Sequence, residues 1–181
     1  MDTVDFASII QKYCGENKAL YEILWTHSMA VANRALKICK LHPELELNCQ
    51  FLKEASMLHD IGIVLADAPG IECYGTEPYI RHGLLGAEIL RAEGLEAHAR
   101  VAERHTGTGL TVEQITRQQL PLPARDFSPE TLEEQVICYA DKFYSKSHLE
   151  REKTPEQVLR SLEKFGDEGV ERFRRWMEMF E

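Results

Sequence analysis

Apolar positions along the chain recur every three or four residues, the spacing of a helix face, and no stretch alternates as a strand would. Between Asn17 and Leu41, the residues Leu20, Ile23, Leu24, His27, Ala30 and Val31 form such a stripe, which His42-Pro43 ends. "NCQFLKEASMLHD" follows, with Asn48 as N-cap, Ala55 and Leu58 on its apolar face and Gly62 as its stop. Residues 63–78, with Pro69, Gly70, Gly75 and Pro78, read as a loop. "YIRHGLLGAEILRAEG" and "LEAHARVAERH" read as two short helices divided near Gly94. "TGTG" at 106–109 breaks the pattern, and the chain to Phe127 is irregular except for a short helix where Thr111 and Gln114 form a capping box. Ser128-Pro129 predicts the start of a helix through residue 147, with Val136, Ile137, Ala140 and Tyr144 on one face and Asp141 beside it. Thr154-Pro155-Glu156-Gln157 starts another helix, closed by Gly166, and Val170, Phe173, Met177 and Phe180 stripe the last. The fold class this predicts is all-α, a single-domain helical bundle over residues 1–181.

Composition narrows the function classes. The 181 residues suit one domain with a real core, and 44% apolar and 28% charged residues mark an ordinary globular chain. No apolar run approaches the roughly 20 residues that span a bilayer, and "MDTVDFASII" lacks a secretory signal's basic start, so the expectation is a cytoplasmic protein with no membrane partner. The five cysteines, Cys14, Cys39, Cys49, Cys73 and Cys138, form no CxxC pair and read as packed free thiols. A net charge of −9 with no long basic run argues against a large nucleic acid. A small anionic substrate needs only local positive charge, which a bound metal supplies. The C-terminal stripe with Trp176 reads first as core packing, and leaves a homodimer through that face open.

Seven histidines carry the chemistry. His42 beside a proline, His98 on a charged helix and His148 in "KSHLERE" read as ordinary surface or core residues. The other four stand differently. His27 interrupts an apolar face, His59-Asp60 ends a buried helix, His82 precedes the small-residue stretch "HGLLGAEI", and His105 ends a helix just before "TGTG". Asp141 lies on the apolar side of its helix, where an unpaired carboxylate is costly. Imidazole and carboxylate donors without thiolate suit iron, manganese, nickel or zinc better than calcium. Six such groups suit a two-metal site, with ions about 3.5–4 Å apart and Asp60 as the bridge.

The ordered set His27, His59-Asp60, Asp141, with "HDIG" at 59–62 and "YADKF" at 139–143, resembles the HD-domain superfamily of metal-dependent phosphohydrolases. His82 and His105 resemble the extra ligands of its two-metal branch, and the resemblance spans residues 20–147, with 148–181 expected as C-terminal helices packing on it. It implies one or two divalent ions, iron favoured if the site is binuclear. His27, His59, Asp60 and Asp141 would hold one ion, and Asp60, His82 and His105 the other. The implied activity is hydrolysis of a small phosphate ester or anhydride, a nucleotide or other phosphate compound, by a metal-held hydroxide attacking phosphorus. Asp60 and Lys142 are the expected catalytic residues, and Arg104, Lys142 and Lys146 the expected substrate contacts, with Lys142 at the cavity edge. Arg81, Arg117 and Arg125 flank the same loops. The paired histidines and Tyr-Pro signature of cyclic-dinucleotide phosphodiesterases are absent from "HTGTGLT", so that substrate is not expected. A di-iron oxygenase on the same scaffold is the alternative activity, and a non-catalytic ligand-binding module a third reading.

Overall fold

Side-chain caps set most of the helix starts. In a computed structural model, which describes residues 3–164 and 166–181, α1 (Phe6–Cys14), α2 (Lys18–Leu41) and α3 (Cys49–Leu58) begin where Asp5, Asn17 and Asn48 accept from backbone N–H groups of the first turn. Met1 and Asp2, the first residues of the stretch read for a secretory signal, lie outside the described residues, as does Phe165. The chain continues through α4 (His82–Ala92), α5 (Glu96–Arg104), α6 (Val112–Arg117), α7 (Leu132–Asp141), α8 (Pro155–Glu163) and α9 (Asp167–Phe180). Capping boxes open α6 at Thr111, α7 at Thr131 and α8 at Thr154. The protein is all-α, with one minor departure.

That departure lies in residues 61–81, of which 63–78 were expected as a loop. Ile61–Leu65 forms a 3-10 turn, and Asp67–Ala68 (β1) pairs antiparallel with Cys73–Tyr74 (β2), Asp67 opposite Tyr74. These turns are held by backbone contacts between sequence neighbours, which hydrophobic periodicity does not report.

Two further expectations are corrected. The helix expected from Ser128 to 147 runs only from Leu132 to Asp141. Glu134 accepts from the N–H groups of Glu130 and Thr131 while Thr131 caps Glu134, so the start sits three residues later. Because α7 ends at Asp141, residues 142–153 are turns rather than a helical face. The second correction concerns Gly166, expected to close α8. That helix already ends at Glu163, and Gly166, at φ 105°, is the N-cap of α9.

Two apolar cores meet along α2. Val31, Ala35 and Ile38 pack with Val136, Ile137 and Ala140 of α7 and Phe173, Trp176 and Phe180 of α9. Leu24 instead packs with Ile10, Leu58, Ile61, Ala87, Leu90 and Ala102, from α1, α3, the 3-10 turn, α4 and α5. His27 lies between Leu24 and Val31, where one core gives way to the other. Trp176 is buried, its indole N–H donating to Gln135 Oε1 at 3.0 Å.

The cysteine expectation is also corrected. Cys39 and Cys49 form a disulfide, their Cα atoms 6.0 Å apart, because the last turn of α2 and the first turn of α3 meet across the connector 42–48. Cys14, Cys73 and Cys138 are free and buried.

Candidate metal centre

Four helix ends and one helix face deliver six donor side chains to one place. His27 comes from the middle of α2, His59-Asp60 from the residues just after α3, His82 from the first position of α4, His105 from just after α5, and Asp141 from the last position of α7. All six are buried. They form two groups sharing Asp60: His27, His59, Asp60 and Asp141, and Asp60, His82 and His105, with donor atoms within 4.8 Å of one another in each.

The two oxygens of Asp60 divide the work. Its Oδ2 lies 3.1 Å from Nε2 of both His27 and His59. Its Oδ1 lies 3.4 Å from His82 Nε2 and 3.2 Å from His105 Nε2. Asp141 Oδ1 completes the first group, 3.0 Å from His27 Nε2 and 3.4 Å from His59 Nε2.

Ring orientation is fixed from behind. A carbonyl only accepts, so His59 Nδ1–H must donate to Ser56 O (2.6 Å), His82 Nδ1–H to Tyr79 O (2.6 Å) and His105 Nδ1–H to Ala102 O (2.7 Å). In each case the carbonyl is three residues earlier, a contact that the preceding helical turn supplies. All three Nε2 atoms then face inward.

Close backbone packing brings α4 to the His-Asp pair. A Cβ on Gly62 would lie 2.0 Å from His82 O and 2.3 Å from Gly86 N. A Cβ on Gly83 would lie 2.7 Å from Ala102 O, so the glycine also lets α5 approach. Gly62 therefore does more than stop a helix.

The donor chemistry fits divalent metal ions. His82 Nε2 and His105 Nε2 face each other at 3.0 Å while both Nδ1 atoms are committed to carbonyls. Burial, with His105 alongside, pushes His82 down to about 3, and burial likewise lowers His105, so both rings are neutral and two lone pairs point at one another. A cation between them removes that conflict. Asp60 Oδ1, although buried, makes no well-directed hydrogen bond among the described residues. Separations of 3.0–3.4 Å between donors are those of neighbouring ligands on one ion with bonds of about 2.1 Å.

Two lysines balance the carboxylates. Lys146 Nζ lies 2.6 Å from Asp60 Oδ2, and Lys142 Nζ lies 2.7 Å from Asp141 Oδ2 and 3.2 Å from His105 O. Burial opposes both carboxylates' ionisation, but Lys146 and His59 hold Asp60, and Lys142 and His27 hold Asp141, well below the usual range. Burial also disfavours a charged His59, yet Asp60 and Asp141 prevail and push it up to about 9. Lys142 thus borders the adjoining cleft with its ammonium held on Asp141.

Beside the clusters lies a cleft of about 560 Å³ lined by Lys142, Lys146, Lys153, Lys164, Tyr79 and Tyr144, among others. Tyr79 also stacks on His82, ring centroids 4.6 Å apart. Tyr79 and Lys153 were not expected at the site. The aromatic three residues before His82 was a usable signal, whereas Lys153 sits in a charged run that reads as solvated.

Arg104 does not reach this cleft. Its buried guanidinium donates to Ser128 O at 2.6 Å and pairs with Glu130 at 3.0 Å, which corrects its expected substrate role. Arg81, Arg117 and Arg125 pair with Glu77, Glu113 and Glu103. Among the other histidines, His42 pairs with Glu44 at 2.8 Å, His148 meets Ser147 Oγ at 3.0 Å, and His98 is buried 3.5 Å from Glu54. None of the three joins either cluster.

Comparison with known proteins supplies the family. The family model described as "HD domain" matches residues 24–145, the segment carrying all six donors. An uncharacterized protein of Methanocaldococcus jannaschii is 36% identical over 137 residues, covering 74% of this chain and 70% of that one. A tRNA (cytidine(56)-2'-O)-methyltransferase of Picrophilus torridus is 36% identical over 95 residues, 52% of this chain but 24% of the enzyme. The enzyme of the same name from Thermoplasma volcanium is 28% identical over 125 residues, 68% of this chain and 32% of the enzyme. The chain therefore spans about a quarter to a third of those two methyltransferases. No solved structure gives a significant match. No helix among the described residues is long and apolar enough to cross a membrane. With its donors inside the matched segment and its helices in place around them, the chain belongs to the HD-domain family, a superfamily of metal-dependent phosphohydrolases.

Proposed function

We propose that this protein is a metal-dependent phosphohydrolase with a binuclear site, acting on a small phosphate ester or anhydride, a nucleotide foremost. The observation that carries the reading is the division of Asp60, one oxygen toward each cluster. In this reading His27, His59, Asp60 and Asp141 hold one ion, and Asp60, His82 and His105 the second. Divalent ions bound there supply Lewis acidity, offset phosphoryl charge and lower the pKa of water so that it can attack phosphorus near neutral pH. Which metal fills the site is left to measurement, with iron first among iron, manganese, nickel and zinc.

The chain's own residues do the rest. The carbonyls of Ser56, Tyr79 and Ala102 hold three imidazoles in the ligating tautomer. Lys142 and Lys146 place two ammonium groups at the mouth of the clusters, where they orient the phosphoryl group in the cleft and balance charge on its oxygens. Tyr79 and Tyr144 offer aromatic surface for the remainder of a nucleotide. The methyltransferase activity named for two relatives is not carried over, because the shared segment is a minor part of those enzymes.

The test is phosphate release from a panel of nucleotides and phosphomonoesters, run anaerobically on protein of measured metal content. Metal-dependent release is expected. Oxygen consumption by the iron-loaded protein with no phosphate release from any substrate would overturn the proposal in favour of oxygenase chemistry.

A further inference from the structure

We propose that the cleft beside the His–Asp clusters binds a second anionic group of the substrate at Lys153, so that the substrate carries a phosphate or carboxylate besides the phosphoryl group at the clusters. This rests on the hydrolase reading only in taking the cleft as the substrate's place.

Charge in the cleft is the first observation. Four lysines line it, and Asp141 is the one carboxylate among the lining residues. Lys142 and Lys146 are matched by Asp141 and Asp60 at 2.7 and 2.6 Å. Lys153 is different: it is half-buried, yet its ammonium has no ion pair within 4 Å among the described residues. Burial, and then Lys142, lower its proton affinity, and the opposing pull of Asp141 does not outweigh them together with Lys164 and Lys146. A chain of net charge −9 gathers lysines here, and holding the half-buried Lys153 ammonium without a counter-ion within 4 Å costs free energy that a bound anion removes.

Placement is the second observation. Lys153 is pinned by its own backbone N–H, which donates to Phe143 O at 2.8 Å, and by the Thr154 cap of α8 that follows. Its backbone is therefore held beside the cleft that its side chain lines. The HD-domain match ends at residue 145, so Lys146, Lys153, Ser161 and Lys164 lie beyond it. The matched segment supplies the clusters and part of the cleft, Tyr79, Lys142 and Tyr144 among its lining, while Lys153 stands outside it.

The experiment titrates metal-loaded protein by calorimetry with propylphosphonate and with two analogues bearing a second phosphonate or a carboxylate at the far end. Metal content is measured after each titration. Wild type should bind at least one bifunctional analogue roughly tenfold or more tighter than propylphosphonate, the size of one charge-assisted contact. Which analogue wins tells a phosphate from a carboxylate. Lys153→Met should abolish the preference while leaving propylphosphonate binding unchanged, and Lys153→Arg should restore it. Equal binding of all three probes by wild type, no binding of any, or an undiminished preference in Lys153→Met would overturn the proposal. Absence of phosphate release with the binding preference intact would instead overturn the hydrolase reading and leave this subsite standing.

Discussion

Asp60→Asn is the most demanding perturbation of the centre, because it keeps the volume and removes one charge. The carboxylate is fully buried, with Lys146 at 2.6 Å, His27 and His59 at 3.1 Å, His105 at 3.2 Å and His82 at 3.4 Å. In the metal-free protein the substitution leaves the Lys146 ammonium and the His59 imidazolium buried without their shared counter-charge. Breaking a buried pair in this way costs about 3–5 kcal/mol. For a chain of this size each kcal/mol moves the melting midpoint by about 2–4 °C, so the metal-free variant should melt roughly 6–20 °C lower. The loss with metal present should be larger still, since no other residue among those described belongs to both clusters. The assay pairs thermal melts with and without metal with elemental analysis of the purified protein. A variant that retains two ions per chain, or that melts within about 1 °C of wild type when metal-free, would refute the reasoning.

Other consequences follow from particular contacts. His59, raised to about 9, contributes stability to the metal-free protein that is full below about 6.5 and lost as pH rises through 9, whereas His82, pushed down to about 3, loses stability as pH falls from about 6.5 toward 3. The metal-free melting midpoint should therefore peak near pH 6.5, and a midpoint flat from pH 4 to 9.5 would contradict both assignments. Cys39→Ser opens a link between residues ten apart and should cost about 2–3 kcal/mol, read as a drop in denaturant midpoint that reductant reproduces in wild type but not in the variant. Gly62→Ala would drive a Cβ to 2.0 Å from His82 O, so it should lower stability sharply and release the metal held by His82 and His105 before the other; a variant with wild-type melts and full metal content would show that α4 yields easily.

Helix starts were legible at Asn48, Thr111 and Thr154, which cap as expected, whereas α1 behind the Asp5 cap was not read from the sequence. Ser128 misled because Thr131 and Glu134 offer a reciprocal box, which satisfies two donors where Ser128-Pro129 offers a single cap. The Cys39–Cys49 bond was not legible, since proximity there depends on how two helix ends meet rather than on a spacing rule. The six donors could be read because each breaks its local pattern, an imidazole on an apolar face or a carboxylate at a helix end. Asp60 was already read as the bridge between two groups, and coordinates add only which oxygen faces which cluster, whereas the fate of Arg104 required coordinates. That arginine points to the segment before α7, a neighbour that helical periodicity does not name. Lys153 was hidden for a further reason: a charged run looks solvated until the end of α7 at Asp141 turns the following residues back over the cleft.

Lys146 ties these threads together, because its ammonium and a metal ion want the same oxygen. Asp60 Oδ2 receives Lys146 Nζ at 2.6 Å, on the side where His27 and His59 converge. Burial disfavours the ammonium, but Asp60 prevails and raises its proton affinity, so lowering the proton concentration does not clear it away near neutral pH. A divalent ion entering the first cluster must displace this contact, and a hydrogen bond between charged groups is worth about 1.5–3 kcal/mol. Lys146→Met keeps most of the stem and deletes the competitor. Metal affinity should therefore rise by roughly ten- to a hundredfold, while the metal-free protein loses stability because Asp60 has lost its counter-charge. Turnover should move the other way, falling as the displaced ammonium is no longer there to meet the substrate phosphate. A purely structural lysine would weaken metal binding and activity together. Opposite signs for metal affinity and turnover are what competition for Asp60 requires, and parallel losses in Lys146→Met would rule it out.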